Sequence, residues 1–310
     1  MLVLVAGITG MCGQACARAA FNAGHDVRGL ARNRSKLSSD VADRLEGFVA
    51  MKDIYDIAAL DQSVQGVDAI IAAVHYTPAP LVDGQILLLR AAERAGVKIF
   101  HAASWNYDWS RVALGDCESY DNYITFRNHA RLSSTIRPLF AFTGVIIEFL
   151  FDVLPHSNPI DEEAKTLSYF GTGNEGWIFT ALEDLAAYTI QAISEPNAAQ
   201  GGFYYVDSFR CTTRELGQMY EQVYKTQLES KQLGTVEDLE RTVQQYRETI
   251  GPLRHREYAG WVYLMLQLKG LVDYESVDSR RWSHIKRTGL SQWLEKRRQR
   301  LMRSGSSRSE

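Results

Sequence analysis

The chain contains 310 residues. At about 150 residues per domain, this length predicts one large domain or a domain with a smaller partner. Hydrophobic residues make up 45% and charged residues 23%, which excludes a largely disordered chain. The formal net charge is -3, from 34 Lys and Arg against 37 Asp and Glu, which excludes the basic surface that nucleic-acid binding requires.

The four cysteines, at positions 12, 16, 117 and 211, are too scattered for a disulfide framework and indicate a reducing compartment. No apolar stretch reaches the ~18 residues that span a bilayer. The apolar opening segment has no preceding basic stretch and stops at Gly7, unlike a signal peptide. We therefore expect a cytoplasmic protein with no membrane partner.

Strands and helices alternate through the N-terminal half. Predicted strands cover residues 2–6, 26–31, 47–51, 68–74, 97–103 and 134–142, and predicted helices cover 14–22, 35–45, 57–64, 81–95 and 120–133. This alternation predicts an α/β fold with a doubly wound parallel sheet of the Rossmann type. The carboxyl ends of its strands would share one edge, where ligands bind.

The pattern changes after about residue 143. A helix at 181–194 and a strand at 202–206 are predicted to return to the sheet, whereas 213–231 and 236–268 are predicted to be helical. We therefore expect a nucleotide-binding domain and a smaller, mostly helical C-terminal substrate domain. The nucleotide-binding domain would contain residues 1–155 and 180–208, the substrate domain 156–179 and 209–302, and a flexible tail 303–310.

A glycine-rich turn joins the first predicted strand to the first helix. Its sequence is Gly7-Ile8-Thr9-Gly10-Met11-Cys12-Gly13. Gly7 would allow the tight turn, Gly10 the close approach of a pyrophosphate, and Gly13 the packing of helix on strand, with the helix amides binding the anion. The predicted cofactor-binding residues here are Gly7, Thr9, Gly10, Met11, Cys12 and Gly13. The alternative is a tight turn without a ligand.

The end of the second strand indicates which dinucleotide would bind. An NAD site usually has an acidic residue there for the ribose hydroxyls, but this segment has none. Instead, Arg32 and Arg34 would bind a 2′-phosphate and Lys36 would strengthen the positive field, which predicts NADP(H). The alternative is a solvated helix start with surface cations.

Further cofactor contacts are predicted where other strands end. Asp53 would meet the adenine amine, or else cap a helix. The remaining predicted cofactor-binding residues are Ala73, Val74, Ser104, Arg127, Phe142 and Thr143.

These features resemble the NmrA-like and isoflavone-reductase-like group of atypical short-chain dehydrogenases. The resemblance covers most of the first 210 residues. It rests on the glycine turn, the segment 32–36, Ser104-Trp105-Asn106-Tyr107, Phe142-Thr143-Gly144-Val145 and Glu183-Asp184-Leu185-Ala186. It implies NADP(H) binding, a Rossmann domain and a smaller substrate domain, and its fungal members are often tailoring enzymes of secondary metabolism.

The chain departs from this family at one catalytic position. Reductases of the group normally use a Lys on the helix after the fifth strand, alone or as Tyr-x-x-x-Lys. Here Arg127 stands at the Lys position, four residues after Tyr123, and no Lys occurs between Lys98 and Lys165. Arg can hold ribose hydroxyls but stays protonated, which disfavours ordinary carbonyl or enone reduction and leaves hydride exchange open.

Several side chains are candidates for the chemistry. Tyr123 would donate a proton, since it shares a helical face with Arg127, and packing against the sheet is the alternative. Ser104 and Tyr107 would contact a substrate carbonyl, or Ser104 would simply cap a loop. His75 would titrate near neutral pH, or be a satisfied, partly buried side chain. No spacing of His, Cys, Asp or Glu indicates a metal site.

Aromatic residues predict a hydrophobic substrate pocket. The candidate substrate-binding residues are Tyr76, Trp105, Tyr107, Trp109, Phe149 and Trp177. Such a wall suits a bulky aromatic or alkaloid-like metabolite. Trp261 and Tyr263 are interpreted instead as a helical core.

Three functions remain open from the sequence. The first is an NADPH-dependent oxidoreductase of secondary metabolism that reduces a C=N or C=C bond; an iminium substrate, already activated, would explain the missing Lys. The second is a redox-neutral isomerase or cyclase that uses bound NADP(H). The third is a non-catalytic NADP(H)-sensing regulator, which would have a shallow pocket and an exposed partner-binding face.

Overall fold

The computed structural model describes residues 1–75, 77–153 and 158–306, with side chains to residue 303. The chain forms two compact units. The first unit contains Met1–Phe142, Leu185–Val206 and Glu275–Ile285. The second contains Thr143–Asp184, Asp207–Tyr274 and the described residues from Lys286 onward.

Strands and helices have the following bounds in the described residues. The strands are β1 (Leu2–Ala6), β2 (Asp26–Ala31), β3 (Gly47–Ala50), β4 (Ala69–Ala72), β5 (Ile99–His101), β6 (Leu139–Phe142), β7 (Val145–Ile146), β8 (Ile160–Asp161), β9 (Thr166–Phe170), β10 (Gly176–Thr180), β11 (Gly202–Tyr205), β12 (Phe209–Thr212) and β13 (Glu229–Gly234). The helices are α1 (Met11–Asn22), α2 (Ser39–Ala42), α3 (Ile57–Ser63), α4 (Gln85–Ala95), α5 (Glu118–Ser133), α6 (Ile147–Asp152), α7 (Leu182–Ser194), α8 (Thr213–Tyr224), α9 (Val236–Thr249), α10 (Ala259–Leu268), α11 (Val277–Arg281) and α12 (Leu290–Ser306).

A seven-stranded sheet forms the centre of the first unit, in the order β11-β6-β5-β4-β1-β2-β3. Every neighbouring pair is parallel. The central strands β1 and β4 are continuous apolar runs because both faces of the sheet are covered. The predicted doubly wound parallel sheet is confirmed, and β11 is the predicted returning strand.

Two predicted helices of the first unit differ from the structure. The predicted helix 35–45 is a 3-10 turn at Arg34–Lys36 followed by the short α2. The turn begins at Asn33, whose side chain accepts hydrogen bonds from the Ser35 amide and hydroxyl and so competes with a regular helix. The predicted helix 81–95 begins as a π-helix at Ala79–Gly84 and continues as α4.

The second unit contains more strand than expected. It has two three-stranded sheets, β12-β10-β7 and β13-β9-β8, beside helices that make up most of its C-terminal part. The predicted helix 213–231 was wrong in its last third, because α8 ends at Tyr224 and β13 follows. Strand β13 is polar and exposed, so its sequence has no apolar alternation to reveal it.

The expected domain boundaries also differ from the two observed units. The first segment of the first unit ends at Phe142 instead of residue 155, its second segment is Leu185–Val206 instead of 180–208, and Glu275–Ile285 belongs to it as well. Helix α12 continues to Ser306, so the first residues of the predicted flexible tail are helical. Residues 307–310 lie outside the described part of the chain.

Candidate functional site

The glycine turn follows β1 at the carboxyl edge of the sheet. The Gly7 amide donates a hydrogen bond of 2.8 Å to the Leu30 carbonyl oxygen at the end of β2. Gly7 has φ +82°, and a Cβ atom on it would lie 2.3 Å from the Ala73 carbonyl oxygen. A Cβ on Gly13 would lie 2.5 Å from the Gly7 carbonyl oxygen. Both positions therefore require glycine because backbone approaches backbone.

Gly10 differs from these two glycines because its own backbone accepts any residue. Its φ is -78°, and among the described residues a Cβ there would meet the carbonyl oxygens of Gly7 at 3.3 Å and Ala73 at 3.9 Å. Gly10 is exposed and precedes the first turn of α1, which contains no acidic residue and no side-chain cap. The positive end of α1 is therefore presented to an anion.

Gln14 anchors this turn, although it is not among the residues predicted from the sequence. The Gln14 side-chain oxygen accepts hydrogen bonds from the Ser38 amide at 3.0 Å and hydroxyl at 2.8 Å, and its Nε2 donates to the Thr9 carbonyl at 3.4 Å. Gln14 thereby connects the glycine turn to Ser38, which follows the cationic segment 32–36. A polar side chain early in a helix of small apolar residues is the signal that could have identified it.

The three predicted phosphate-binding cations have different surroundings. The side chains of Arg32 and Lys36 are exposed and make no hydrogen bond or ion pair within the described residues. Arg34 donates to the Ala42 carbonyl at 3.2 Å, and its guanidinium lies 5.9 Å from the centre of the Phe48 ring. Arg32, directly after β2, is therefore the cation most available to an anion at this edge.

Asp53 occupies a local turn. Its Oδ1 accepts a hydrogen bond of 2.8 Å from the Tyr55 amide, and its side chain is exposed. The N-cap of α3 is Asp56, which accepts from the Ala59 amide at 3.2 Å. Asp56, three positions later, therefore has the helix-capping role that was the alternative for Asp53.

The chain after β4 lies beside the glycine turn. The Ala73 amide donates to the Ala6 carbonyl at 2.7 Å, and both Ala73 and Val74 are half-buried. His75 is exposed, and its Nδ1 lies 3.0 Å from the Thr77 hydroxyl oxygen. The predicted residue Tyr76 lies outside the described residues.

The structure argues against Ser104 as a substrate contact. Its side chain is 1% exposed. Its Oγ donates to the Ala102 carbonyl at 3.2 Å and accepts from the Ala141 amide at 2.8 Å. Ser104 therefore connects the chain after β5 to β6, and burial keeps its hydroxyl from a ligand. Tyr107, also predicted for this role, is 2% exposed and belongs to the protein interior.

A buried aromatic cluster explains several predicted pocket residues. Trp109 is 0% exposed, and its ring stacks on Tyr123 with centroids 5.7 Å apart. Phe140 and Phe142 of β6 contact the same indole edge-on at 5.6 and 5.4 Å. The predicted contacts of Trp109 with substrate and of the Phe142 side chain with cofactor are corrected: both rings form core.

The predicted pair on α5 does share one helical face. The Arg127 guanidinium lies 5.6 Å from the centre of the Trp109 ring, on which Tyr123 also stacks. Burial lowers the pKa of Arg127 from its ordinary value, and Arg131 acts in the same direction. An Arg remains protonated at neutral pH even so. This face therefore carries a fixed positive charge on the half-buried Arg127, beside the buried rings of Trp109 and Tyr123.

Among the described residues of the first unit, Trp105 is a predicted pocket residue that is half-buried. Its Nε1 donates a hydrogen bond of 3.0 Å to the Thr189 hydroxyl, and its ring stacks on His101 at 5.3 Å. The His101 Nε2 lies 2.7 Å from the Tyr204 hydroxyl oxygen. These contacts hold the Trp105 indole in one orientation just beyond the end of β5.

His101 gives the protein a pH-dependent stability. Burial lowers the pKa of His101 from 6.5 to about 3, so folding requires the neutral ring. The unfolded chain binds a proton below about pH 6.5, and the free energy of unfolding then falls as the pH is lowered towards 3. Between pH 7 and pH 5 this residue alone should cost about 2 kcal/mol.

Urea unfolding at both pH values measures this loss. A His101→Gln variant should lose about 2 kcal/mol less than the unsubstituted protein. Replacement of the exposed His284 by Gln is the matched control and should leave the pH dependence unaltered. Equal pH dependence in all three proteins would mean that His101 has the same pKa in the folded protein as in the unfolded chain.

The remaining predicted site residues belong to the second unit. Thr143 is buried and accepts a hydrogen bond of 2.6 Å from the Thr180 hydroxyl through its carbonyl oxygen. Phe149 is half-buried on α6. Trp177, on β10, is 7% exposed and stacks on Phe179 at 5.9 Å.

The described residues offer neither a membrane-spanning helix nor a metal-binding cluster. None of the described helices is long and apolar enough to cross a membrane. In the same part of the chain, no group of three or more His, Cys, Asp or Glu side chains is arranged to hold a metal ion.

The parallel sheet and its glycine turn define an α/β protein of the Rossmann type. The chain belongs to the NmrA-like family, whose model matches residues 1–279, so the resemblance seen in the sequence is confirmed. The probable pinoresinol-lariciresinol reductase 3 of Arabidopsis thaliana is 27% identical over 237 residues, which are 73% of this chain and 74% of that protein.

Solved structures share the fold. The structure of AtPrR2 with NADP+ and (+)pinoresinol has a TM-score of 0.74 at 21% identity, covering 94% of this chain and 97% of that one. The binary complex of leucoanthocyanidin reductase with NADPH from Vitis vinifera has a TM-score of 0.74 at 19% identity, covering 96% and 99%. At these identities, the likeness concerns the fold.

Proposed function

We propose that this protein is an NADP(H)-dependent oxidoreductase that acts on a bulky aromatic small molecule. One observation carries the proposal: Gly10 opens the positive end of α1 to an anion at the sheet edge where Arg32 has no partner in the described residues. A pyrophosphate fits the first feature and a 2′-phosphate the second. The curated relatives named as reductases, and the neighbours solved with NADP+ or NADPH, support the same cofactor.

The residues present fit this cofactor. The amides of the first turn of α1 would bind the pyrophosphate, because the first amides of a helix have no intrahelical acceptor. Arg32, with Lys36 nearby, would bind the 2′-phosphate, and Ala73 and Val74 would line the path away from the adenosine. Bound NADPH supplies a hydride to an electron-poor carbon.

The chain's own residues would orient the substrate more than protonate it. The Arg127 guanidinium would donate hydrogen bonds to the ribose hydroxyl groups of the cofactor. Because Arg127 stays protonated, it cannot relay a proton. Tyr123 is the proposed proton donor. We therefore propose that the reduced bond is already activated, as in a C=N or conjugated C=C bond, and that an alkaloid-like aromatic metabolite suits this chemistry. Trp105 would offer its indole face to that ring system.

The state of the cysteines bears on the cell compartment. None of the four cysteines forms a disulfide. We propose that the protein works in the cytoplasm, where thiols stay reduced.

Deuterated NADPH tests the proposed reaction. The purified protein is incubated with NADPH labelled at the transferable C4 position and with aromatic C=N and C=C compounds. Deuterium should appear on carbon in the product as NADPH absorbance falls. Label returned to the cofactor after product formation would indicate a redox-neutral isomerase or cyclase. Tight NADPH binding with no turnover of any compound would indicate an NADP(H)-sensing regulator.

Replacement of Tyr123 by Phe tests its proposed role. The change removes one hydroxyl and keeps the ring that stacks on Trp109. The turnover number should fall at least about tenfold, which is about 1.4 kcal/mol in the activation barrier. The control is Tyr120→Phe, because Tyr120 donates a hydrogen bond of 3.1 Å to Asn106 inside the first unit. The control should lower the thermal stability and leave the turnover number unchanged. An unchanged turnover number in Tyr123→Phe would mean that Tyr123 serves only in packing.

A further inference from the structure

Two polar side chains of α1 contact the chain that follows the cationic segment. Gln14 and Arg18 are four positions apart and therefore lie on one face of this helix. The Gln14 Oε1 accepts hydrogen bonds from the Ser38 amide at 3.0 Å and hydroxyl at 2.8 Å. Arg18 donates to the same hydroxyl at 2.8 Å and pairs with Asp40 at 2.6 Å. We call these four residues the α1 clamp.

The Ser38 hydroxyl serves this clamp instead of the helix that it precedes. Ser38 is the N-cap residue of α2, where a serine hydroxyl ordinarily accepts a hydrogen bond from a helix amide. Within the described residues its side chain makes no such bond. The pair of Arg18 with Asp40 is about half exposed, so solvent weakens it, whereas Gln14 is half-buried. Gln14 is therefore the main contact of the clamp.

The clamp holds one end of the cationic segment 32–36. The other end continues directly from β2. Between these two attachments the segment bonds to itself, as where the Ser35 amide donates to the Asn33 side chain at 2.9 Å. The distance between its cations and α1 therefore depends on the hydrogen bonds from Ser38 to Gln14.

The other end of the Gln14 amide faces the glycine turn. Because the Ser38 amide can only donate, it fixes the Gln14 Oε1 towards itself. The Nε2 then faces the Thr9 carbonyl oxygen, at 3.4 Å. The turn does not depend on this long bond, since the Gly10 amide donates to the Gly7 carbonyl at 3.0 Å. Loss of the Gln14 side chain should therefore release the cationic segment and leave the glycine turn in place.

We propose that Gln14 is a positioning residue that sets the preference for NADPH over NADH. This inference rests on the proposed binding of NADP(H) at the glycine turn. NADPH carries its pyrophosphate and its 2′-phosphate on one adenosine, so both bind well only if their two sites stand at the matching distance. Gln14 fixes that distance and acts through Arg32 and Lys36. NADH has no 2′-phosphate and does not use the segment.

Replacement of Gln14 by Met tests this role in the full chain. Methionine keeps the length and the helix propensity of the side chain and removes its hydrogen bonds. NADPH affinity should fall at least about fivefold, and NADH affinity should change by less than about twofold. The control Gln62→Met, at an exposed position of α3, should leave both affinities unchanged. An equal fall in both affinities, or no change in either, would overturn the inference. If the unsubstituted protein binds neither cofactor, the proposed function fails too.

Two further variants separate positioning from a general loss of stability. Ser38→Ala removes only the hydroxyl of the clamp, and it should lower NADPH affinity about threefold and spare NADH. In an Arg32→Ala background, Gln14→Met should change NADPH affinity by less than about twofold, because the main group that it positions is absent. A further fivefold fall in that background would contradict the inference.

Hydrogen exchange measures the clamp without any cofactor. In Gln14→Met the Ser38 amide loses its acceptor and should exchange at least about tenfold faster than in the unsubstituted protein. The Ser35 amide is the internal control, because its acceptor is the Asn33 side chain within the segment. It should keep its rate. An unchanged rate at Ser38 would mean that Gln14 does not hold the segment.

Discussion

A Gly10→Val variant should fold normally and lose NADPH binding by at least about a hundredfold, which is about 2.7 kcal/mol of binding free energy. Folding should survive because φ at Gly10 is -78°, and the Gly7 carbonyl oxygen, 3.3 Å from an added Cβ, needs to shift by only a few tenths of an ångström. Binding should fail because the valine methyl groups would project from the exposed face of the turn, where the pyrophosphate must approach the amides of α1. Fluorescence titration with NADPH measures the affinity.

Gly47→Val is the matched control for this substitution. Gly47 begins β3 at the opposite edge of the sheet, and an added Cβ would meet only the Arg28 side chain, at 3.8 Å. This variant should bind NADPH as the unsubstituted protein does. Equal NADPH affinity in folded Gly10→Val would mean that no pyrophosphate approaches the glycine turn.

An Arg32→Glu variant should reverse the preference between the two nicotinamide cofactors. NADPH affinity should fall about a hundredfold, because a charge-assisted pair with the 2′-phosphate is replaced by repulsion between two anions. NADH affinity should stay within about threefold or improve, since a carboxylate after β2 can accept hydrogen bonds from the ribose hydroxyls. Parallel titrations with the two cofactors give both values.

Lys98→Glu makes the same change in net charge at a distant exposed position. Lys98 directly precedes β5, at the amino end of the sheet. This control should change NADPH affinity by less than about threefold, because an exposed charge beyond the Debye length of ~10 Å is largely screened. If Lys98→Glu and Arg32→Glu lower the NADPH affinity by similar factors, Arg32 contributes only to the overall electrostatic field of the protein.

The sheet and the glycine turn could be predicted because their signals are local. Strands buried on both faces are continuous apolar runs, and β1 and β2 have the predicted bounds. The requirement for glycine at Gly7 and Gly13 arises within one strand-turn-helix unit, which the sequence displays directly. The returning strand β11 was also predicted.

The aromatic residues after β5 could not be assigned from sequence in the same way. Trp105 and Trp109 stand four positions apart in one loop, yet Trp105 is half-buried and Trp109 is 0% exposed. Trp109 is buried because residues distant in sequence, Phe142 on β6 and Tyr123 on α5, surround its ring. Contacts of this kind depend on the tertiary structure, and the hydrophobic periodicity of the sequence does not predict them.

Polar residues were misjudged for a related reason. Ser104 follows a strand at the ligand-binding edge, as a substrate-binding serine would, but its hydroxyl bonds to the Ala141 amide of the neighbouring strand. Gln14 is not part of a recognised sequence motif, although it connects the glycine turn to Ser38. In both cases the decisive partner lies more than twenty positions away.

A crystal structure of the protein with NADPH would show whether the cofactor binds at the glycine turn. We expect the pyrophosphate against the first amides of α1 beside Gly10, and the 2′-phosphate within hydrogen-bond distance of Arg32. A cofactor bound elsewhere on the protein, or a 2′-phosphate that points into solvent away from Arg32, would contradict this expectation.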